Sequence, residues 1–247
     1  MMKVTLRANL RAILFAIVFP SVVTLVYFVV LADQPAVIQQ AIYTVLKVIQ
    51  FAFPAVWVFV IVGKKIRWAG PTKGSVSMGV GFGLLVAGAM LALTLFWLEP
   101  VGFFDSGSEE TTPRAQIREK VTDLGTDSLA KYGALGVFYA ICHSFLEEYY
   151  WRWFVFKGLR PYTTLGKAIA ISSFGFMAHH VIVLGTFFGW ISPVTYVFSL
   201  AVAVGGAVWA WIYERSDSIY GPWLSHMLVD AAIFIVGYKL VGDMFLS

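Results

Sequence analysis

Charged side chains are scarce in this sequence, and so is cysteine. Asp, Glu, Lys and Arg make up 13% of the 247 residues, whereas a soluble domain carries about 25%. Apolar residues make up 59% of the chain, and the mean hydropathy is +0.78. The single cysteine, Cys142, excludes an intramolecular disulfide. These deficits exclude an ordinary soluble domain and predict an integral membrane protein.

Seven apolar runs are long enough to cross a bilayer, which takes about 20 residues. They cover approximately residues 12–32, 37–62, 77–98, 132–156, 168–190, 194–213 and 221–242. The sequence therefore predicts an all-α fold, a single polytopic transmembrane bundle over residues 1–247 with about seven spans. The first run is too long for a signal-peptide core, so we expect it to be a retained helix. Glycines at positions 79, 81, 83 and 88 suit the third span to close helix packing.

Basic residues cluster beside some of the predicted spans and are absent beside others. The clusters are Lys3, Arg7 and Arg11 before span 1, Lys64, Lys65, Arg67 and Lys73 after span 2, and Lys157, Arg160 and Lys167 after span 4. The loop between spans 1 and 2 holds Asp33 and no Lys or Arg. Since cytoplasmic loops carry the excess of Lys and Arg, we predict a cytoplasmic N-terminus and, with seven spans, a C-terminus outside.

The connection over residues 99–131 is the longest segment between the predicted spans. Thr112 followed by Pro113 predicts a helix start, and Ile117, Val121 and Leu124 recur at helical spacing. On the predicted topology this connector is extracytoplasmic. It is either an interfacial helix that shields or admits substrate, or a solvated connector.

Ionisable residues inside span 4 are the first sign of function, because a charge in the bilayer is costly and faces a partner or a wet cavity. Glu148 and Arg152 are four residues apart, so they share a helix face and can pair. Glu147 projects about 100° away from that face. His143 lies one turn before Glu147.

Two further spans carry imidazoles at overlapping depths. His179 and His180 are adjacent in span 5, and His226 and Asp230 are four apart on one face of span 7. Exposing these groups to lipid is unfavourable, so we expect them to converge inside the bundle. We interpret His143 and His179 as packing residues.

Other polar and aromatic residues in the spans have simpler interpretations. Lys47, inside span 2, has to snorkel to the interface or face a polar partner. The aromatic residues of span 4 are predicted to form an interfacial belt; they are Tyr149, Tyr150, Trp151 and Trp153.

A glutamate with one or more histidines can deprotonate a water molecule, while a further imidazole donates hydrogen bonds to an oxyanion. The same set could instead bind zinc, whose open position activates water; the ligands would be Glu147, His180 and His226. Both routes lead to hydrolysis, most naturally of an amide. The cofactor is therefore either zinc or none, and the sequence carries no nucleic-acid motif.

Three motifs occur in order on separate predicted helices. They are Glu147-Glu148-x-x-x-Arg152, Phe176-x-x-x-His180 and His226-x-x-x-Asp230. Together they resemble the CPBP family of CAAX protease and bacteriocin-processing (ABI) intramembrane endopeptidases, which includes the type II CAAX prenyl endopeptidase. The resemblance covers about residues 132–240, so we expect residues 132–242 to supply the catalytic core helices.

The resemblance implies an intramembrane peptidase in which Glu147 activates water, aided by His180. It implies that Glu148 and Arg152 form a supporting pair and that His226 and Asp230 stabilise the oxyanion. CAAX-cleaving members often have Asn where this chain has Asp230. An ionised Asp cannot donate a hydrogen bond, so Asp230 would orient or charge His226, or be protonated.

We therefore predict an intramembrane endopeptidase acting on membrane-associated or lipidated peptides, with the bilayer and that peptide as partners. The sequence leaves two alternatives: a non-catalytic membrane immunity or scaffold protein, and a proton-coupled transporter. A transporter usually shows an internal repeat, and none is found in the sequence.

Overall fold

The computed structural model describes residues 2–63, 69–107, 112–126 and 128–245, with side chains from residue 9 onward. These residues are largely helical, and none of them forms a strand. Lys64, Lys65 and Arg67 of the predicted basic clusters lie outside the described residues, and so do the side chains of Lys3 and Arg7.

Seven continuous helical stretches among the described residues are long and apolar enough to cross a membrane. One of them, Leu129–Leu159, consists of three short α-helices joined by π-helical turns. The α-helices are α1 (Met2–Leu25), α2 (Ala36–Ala55), α3 (Lys73–Leu93), α4 (Pro113–Asp123), α5 (Leu129–Phe138), α6 (Ser144–Glu148), α7 (Lys157–Leu159), α8 (Leu165–Phe188), α9 (Pro193–Ser216) and α10 (Tyr220–Val241). The prediction of an all-α polytopic fold with about seven spans is confirmed.

Several helices continue through π-helical turns. These are Val26–Val30, Val56–Ile61, Thr94–Leu98, Tyr139–His143 and Tyr149–Phe156, and short 3-10 turns cover Phe103–Asp105 and Gly242–Phe245. Two of the π-helical segments flank α6, which contains Glu147 and Glu148. Because a π-helical turn is wider than an α-helical one, it changes which residues share a helix face.

The chain forms two compact units, each assembled from two stretches of sequence. The first unit comprises Met1–Pro71 and Leu146–Ile219, and the second comprises Thr72–Phe145 and Tyr220–Ser247.

In the first unit, α8 packs against α1 and α9, and the π-helical segment Tyr149–Phe156 packs against all three. The Tyr150 hydroxyl donates a hydrogen bond to the Ala16 carbonyl of α1 at 2.8 Å. Tyr149, Tyr150, Trp151 and Trp153 are all buried, with at most 8% of each exposed. The predicted interfacial aromatic belt is therefore wrong, because neighbouring helices cover these side chains.

One end of the first unit is held by ion pairs on its surface. Arg160 pairs with Glu214 at 2.8 Å, and Lys157 pairs with Asp217. The hydrogen bond to Glu214 raises the pKa of the Arg160 guanidinium above its ordinary value. These contacts join α7 and the residue after it to the end of α9.

In the second unit, α3 packs closely against α10. A Cβ atom placed on Gly79 would lie 2.1 Å from the carbonyl oxygen of Gly221, and one on Gly83 would lie 2.9 Å from the Ser225 Cα. At Gly81 a Cβ atom would meet nothing within 4 Å. The predicted close packing of this glycine-rich span is confirmed at Gly79 and Gly83.

Helix α4 begins where the sequence predicts. Thr112 caps it, with its hydroxyl accepting a hydrogen bond from the Ala115 N–H at 3.1 Å. Arg114 then donates to the Leu240 carbonyl at 2.6 Å, and Arg118 pairs with Asp243 at 2.6 Å. A small apolar cluster completes this contact with α10; its buried members are Phe104, Val121, Tyr132, Leu240 and Val241. An extracytoplasmic or interfacial role for the connector stays a prediction.

We predict that Gly79→Ala destabilises the protein by about 1–3 kcal/mol, because its methyl group collides with the backbone of α10. Gly81→Ala is the matched control, since it adds the same methyl group to the same helix in open space. The midpoints of thermal unfolding in detergent should fall for the first variant and not for the second. Equal midpoints for the two variants would contradict the packing described here.

Candidate active site

Glu148 and Arg152 form a buried ion pair in the first unit. The Arg152 Nε lies 3.0 Å from Glu148 Oε2, and the two side chains are 2% and 0% exposed. The pairing predicted from their spacing of four residues is confirmed. In a low-dielectric interior each charge depends on the other, since an unpaired buried charge is strongly destabilising.

Arg152 also connects three elements of the first unit. Its guanidinium lies over the Phe176 ring of α8 at 4.9 Å and over the Trp209 ring of α9 at 5.1 Å. Its Nη2 donates a long hydrogen bond of 3.4 Å to the Gly206 carbonyl of α9. Arg152 thus fixes the helix that carries the glutamates against α8 and α9.

Glu147 faces an imidazole within the first unit. Glu147 Oε1 lies 3.7 Å from His179 Nε2, and both residues are buried. The His179 ring stacks on Trp151, with 6.0 Å between ring centroids and 10° between ring planes. His179, interpreted from sequence as a packing residue, therefore lies against the carboxylate of Glu147.

His180 lies beside this pair and is half-buried. Its ring centroid is 4.2 Å from that of His179, and its Nδ1 lies 2.9 Å from the Phe176 carbonyl oxygen. Since a carbonyl only accepts hydrogen bonds, Nδ1 carries the hydrogen in this contact. In the neutral ring, Nε2 is then the basic nitrogen.

His226 and Asp230 meet on α10 in the second unit. His226 is buried, and its Nε2 lies 3.5 Å from Asp230 Oδ1. The expected pairing at a spacing of four residues is confirmed. The predicted cooperation of this pair with the glutamate and histidines of the first unit stays a prediction.

His143 and Asp230 are only half-buried, in contrast to His226. The His143 ring centroid lies 4.7 Å from that of Tyr139. This contact agrees with the interpretation of His143 as a packing residue.

A metal centre would require several donor side chains around one point. Within the part of the chain that the structure describes, no group of three or more His, Cys, Asp or Glu residues is placed to hold a metal ion. The zinc ligand set Glu147, His180 and His226 stays a prediction.

Sequence reasoning identified the two adjacent histidines but interpreted His179 as a packing residue. The described geometry places His179 Nε2 3.7 Å from Glu147 Oε1. Adjacent residues on an α-helix project about 100° apart, so the packing of α8 decides how each imidazole lies relative to Glu147. The presence of two neighbouring imidazoles was the sequence feature that could have indicated this contact.

Comparison with known proteins gives one result that bears on this site. Residues 130–232 match a family model described as Type II CAAX prenyl endopeptidase Rce1-like. Searches of curated proteins and of solved structures give no match. The matched segment contains all three motifs. Over residues 130–232 the chain is thus similar to the Rce1-like CAAX proteases, and the family recognised from those motifs is confirmed.

Proposed function

We propose that this chain is an intramembrane endopeptidase that hydrolyses a peptide bond of a membrane-associated or lipidated peptide. The observation that supports this most is the buried contact between Glu147 and His179, with His180 beside it. A carboxylate and two neighbouring imidazoles can accept and return a proton, as hydrolysis by water requires. The likeness to CAAX prenyl endopeptidases supports the same reaction class.

In the proposed mechanism, the Glu147 carboxylate removes a proton from a water molecule while the water oxygen attacks the peptide carbonyl carbon. The carbonyl oxygen becomes an oxyanion, and the C–N bond then breaks as the protonated Glu147 returns its proton to the leaving amine. His179 holds the carboxylate in place. His180 relays protons through Nε2, since its Nδ1–H is used on the Phe176 carbonyl.

His226 is proposed to donate a hydrogen bond to the oxyanion. Asp230 lies at ion-pair distance from its Nε2, and an ionised carboxylate attracts an imidazolium, in which both ring nitrogens donate. Asp230 would therefore orient and charge His226 rather than contact the substrate itself.

We predict that Glu147→Gln lowers kcat by about 10²–10⁴-fold, because the amide cannot accept the proton of the water. The probe is a farnesylated peptide that ends in a CAAX tetrapeptide, and mass spectrometry measures the released C-terminal fragment. Glu119→Gln is the matched control: it makes the same change at an exposed position of α4 and should retain wild-type kcat. Wild-type turnover by Glu147→Gln would end the proposal.

The same assay tests the proposed role of His226. His226→Ala alone should lower kcat by about 10²–10³-fold. If Glu147 and His226 act on one reacting group, the double variant should be about as slow as the slower single variant. A double variant whose loss equals the product of the two single losses would mean that they act independently.

His179 is proposed as a positioning residue, and its variants should separate that role from packing. His179→Ala should lower kcat by about 10²-fold, because Glu147 loses the group that orients it. His179→Gln keeps an N–H donor and should recover most of the activity. The pH profile of kcat should shift in the alanine variant only. If both variants keep wild-type kcat and pH profile, His179 is a packing residue.

We also propose that the N-terminus is cytoplasmic and the C-terminus outside, from the positions of the basic clusters. In a Cys142→Ala background, Asp33→Cys should react with a membrane-impermeant maleimide on intact cells, since it lies in the exposed loop after span 1. Lys167→Cys, exposed at the start of α8, should react only after permeabilisation. The reverse pattern would invert the topology.

A further inference from the structure

An open cavity lies in the second unit, between α3, α4 and the end of α10. Its volume is about 770 Å³, within the range of roughly 300–1,000 Å³ that is usual for small-molecule sites. Leu91 and Leu95 line it from α3 and the π-helical segment that follows, and Arg114 and Arg118 line it from α4. We call this cavity the basic groove; the lining residues that matter below are Leu95, Arg114, Arg118, Ile235, Lys239 and Asp243.

The apolar lining of the basic groove lies inside two membrane spans. Leu95 is in the last turn of the span Lys73–Leu98, and Ile235 lies two turns before Asp243 in the span Tyr220–Phe245. At 1.5 Å per residue, the groove extends about 12 Å along this second span, most of the roughly 15 Å thickness of hydrocarbon in one leaflet. Leu95 and Ile235 are 41% and 54% exposed, so the described chain leaves this lining uncovered.

The charged lining lies at the end of the same spans. Arg118 Nη2 is 2.6 Å from both carboxylate oxygens of Asp243. Arg114 donates to both oxygens of Asp105, at 2.6 and 3.1 Å. Lys239 is exposed, and no carboxylate of the described residues lies within 4.0 Å of its ammonium. Described carboxylates therefore pair with both arginines of the groove, and the charge of Lys239 remains.

The basic groove thus offers an apolar surface at the depth of acyl chains and a positive charge at the depth of headgroups. Basic pockets between membrane helices bind anionic lipid headgroups. A phospholipid with one negative phosphodiester and an uncharged headgroup matches both features. A soluble anion would leave the apolar lining uncovered, and a zwitterionic lipid would bring a quaternary ammonium that Lys239 repels.

We propose that the basic groove binds one anionic phospholipid, with an acyl chain against Leu95 and Ile235 and the phosphate beside Lys239 and Arg118. Arg118 can contribute because a guanidinium has five N–H donors, and within the described chain only its Nη2 is engaged. The lipid would contact α3, α4 and α10 together and so stabilise the folded second unit. This proposal is independent of the proposed peptidase activity.

The experiment is native mass spectrometry of the full chain in detergent, titrated with dioleoyl phosphatidylglycerol or dioleoyl phosphatidylcholine. The two lipids have the same acyl chains and phosphate and differ in net charge. The wild-type protein should bind the anionic lipid at least about fivefold more tightly, the effect of one basic residue near a membrane surface. Equal Kd values for the two lipids would overturn the proposal without requiring any variant to fold.

The charge is tested with Lys239→Met, which keeps an unbranched side chain. This variant should raise the Kd of phosphatidylglycerol to that of phosphatidylcholine and leave the latter unchanged. Lys131→Met is the matched control, because it removes an exposed lysine of the same unit that does not line the groove. If Lys239→Met keeps the wild-type preference, or if Lys131→Met loses it, the lipid binds elsewhere and the proposal fails.

The apolar lining is tested with Leu95→Trp, whose larger side chain fills part of the groove. It should weaken binding of both lipids about tenfold, the effect of losing contact with about two methylene groups. Leu93→Trp is the matched control: it makes the same change at an exposed position of α3 outside the groove and should bind lipid as the wild type does. Equal losses in the two variants would contradict an acyl chain in the groove.

Two further results would assign the groove to another occupant. Glycerophosphoglycerol, which is the headgroup without acyl chains, should not displace phosphatidylglycerol; displacement would mean an anion site rather than a lipid site. The same spectra report the oligomeric state. A dimer that Leu95→Trp dissociates, with no preference between the lipids, would assign the groove to a second copy of the chain and overturn the proposal.

Discussion

The burial of charge in a low-dielectric interior is the constraint on which this structure depends. Glu148 and Arg152 are almost completely buried, and each is tolerated only because the other lies 3.0 Å away. Removing one partner would leave an uncompensated charge, which typically destabilises a protein by about 3–5 kcal/mol. The pair therefore holds α6 and the following π-helical segment in one position relative to α8 and α9.

That fixed position also sets the direction in which the adjacent Glu147 projects. Glu147 cannot share the partner of Glu148, because neighbouring residues on a helix point in different directions. Its own contact is with His179, which can exchange a proton where Arg152 cannot. The two adjacent glutamates thus have different partners, an arginine for Glu148 and an imidazole for Glu147, because their side chains project in different directions.

Much of the fold follows from the sequence because it depends on local properties. The length of the apolar runs predicts the seven spans, and the spacing of four residues predicts the pairs Glu148–Arg152 and His226–Asp230. Thr112 likewise predicts the start of α4, because a capping hydroxyl accepts a hydrogen bond from a backbone N–H of its own helix.

The remaining features depend on packing between helices, which no local pattern specifies. In the sequence, an aromatic residue such as Trp151 looks the same whether it belongs to a lipid-facing belt or to a core. Only the helices that cover its side chain distinguish the two cases. The contact between His179 and Glu147 depends on the rotation of α8 about its axis. The π-helical segments on either side of α6 add to this difficulty, because they shift the angular relation between residues that a regular α-helix would fix.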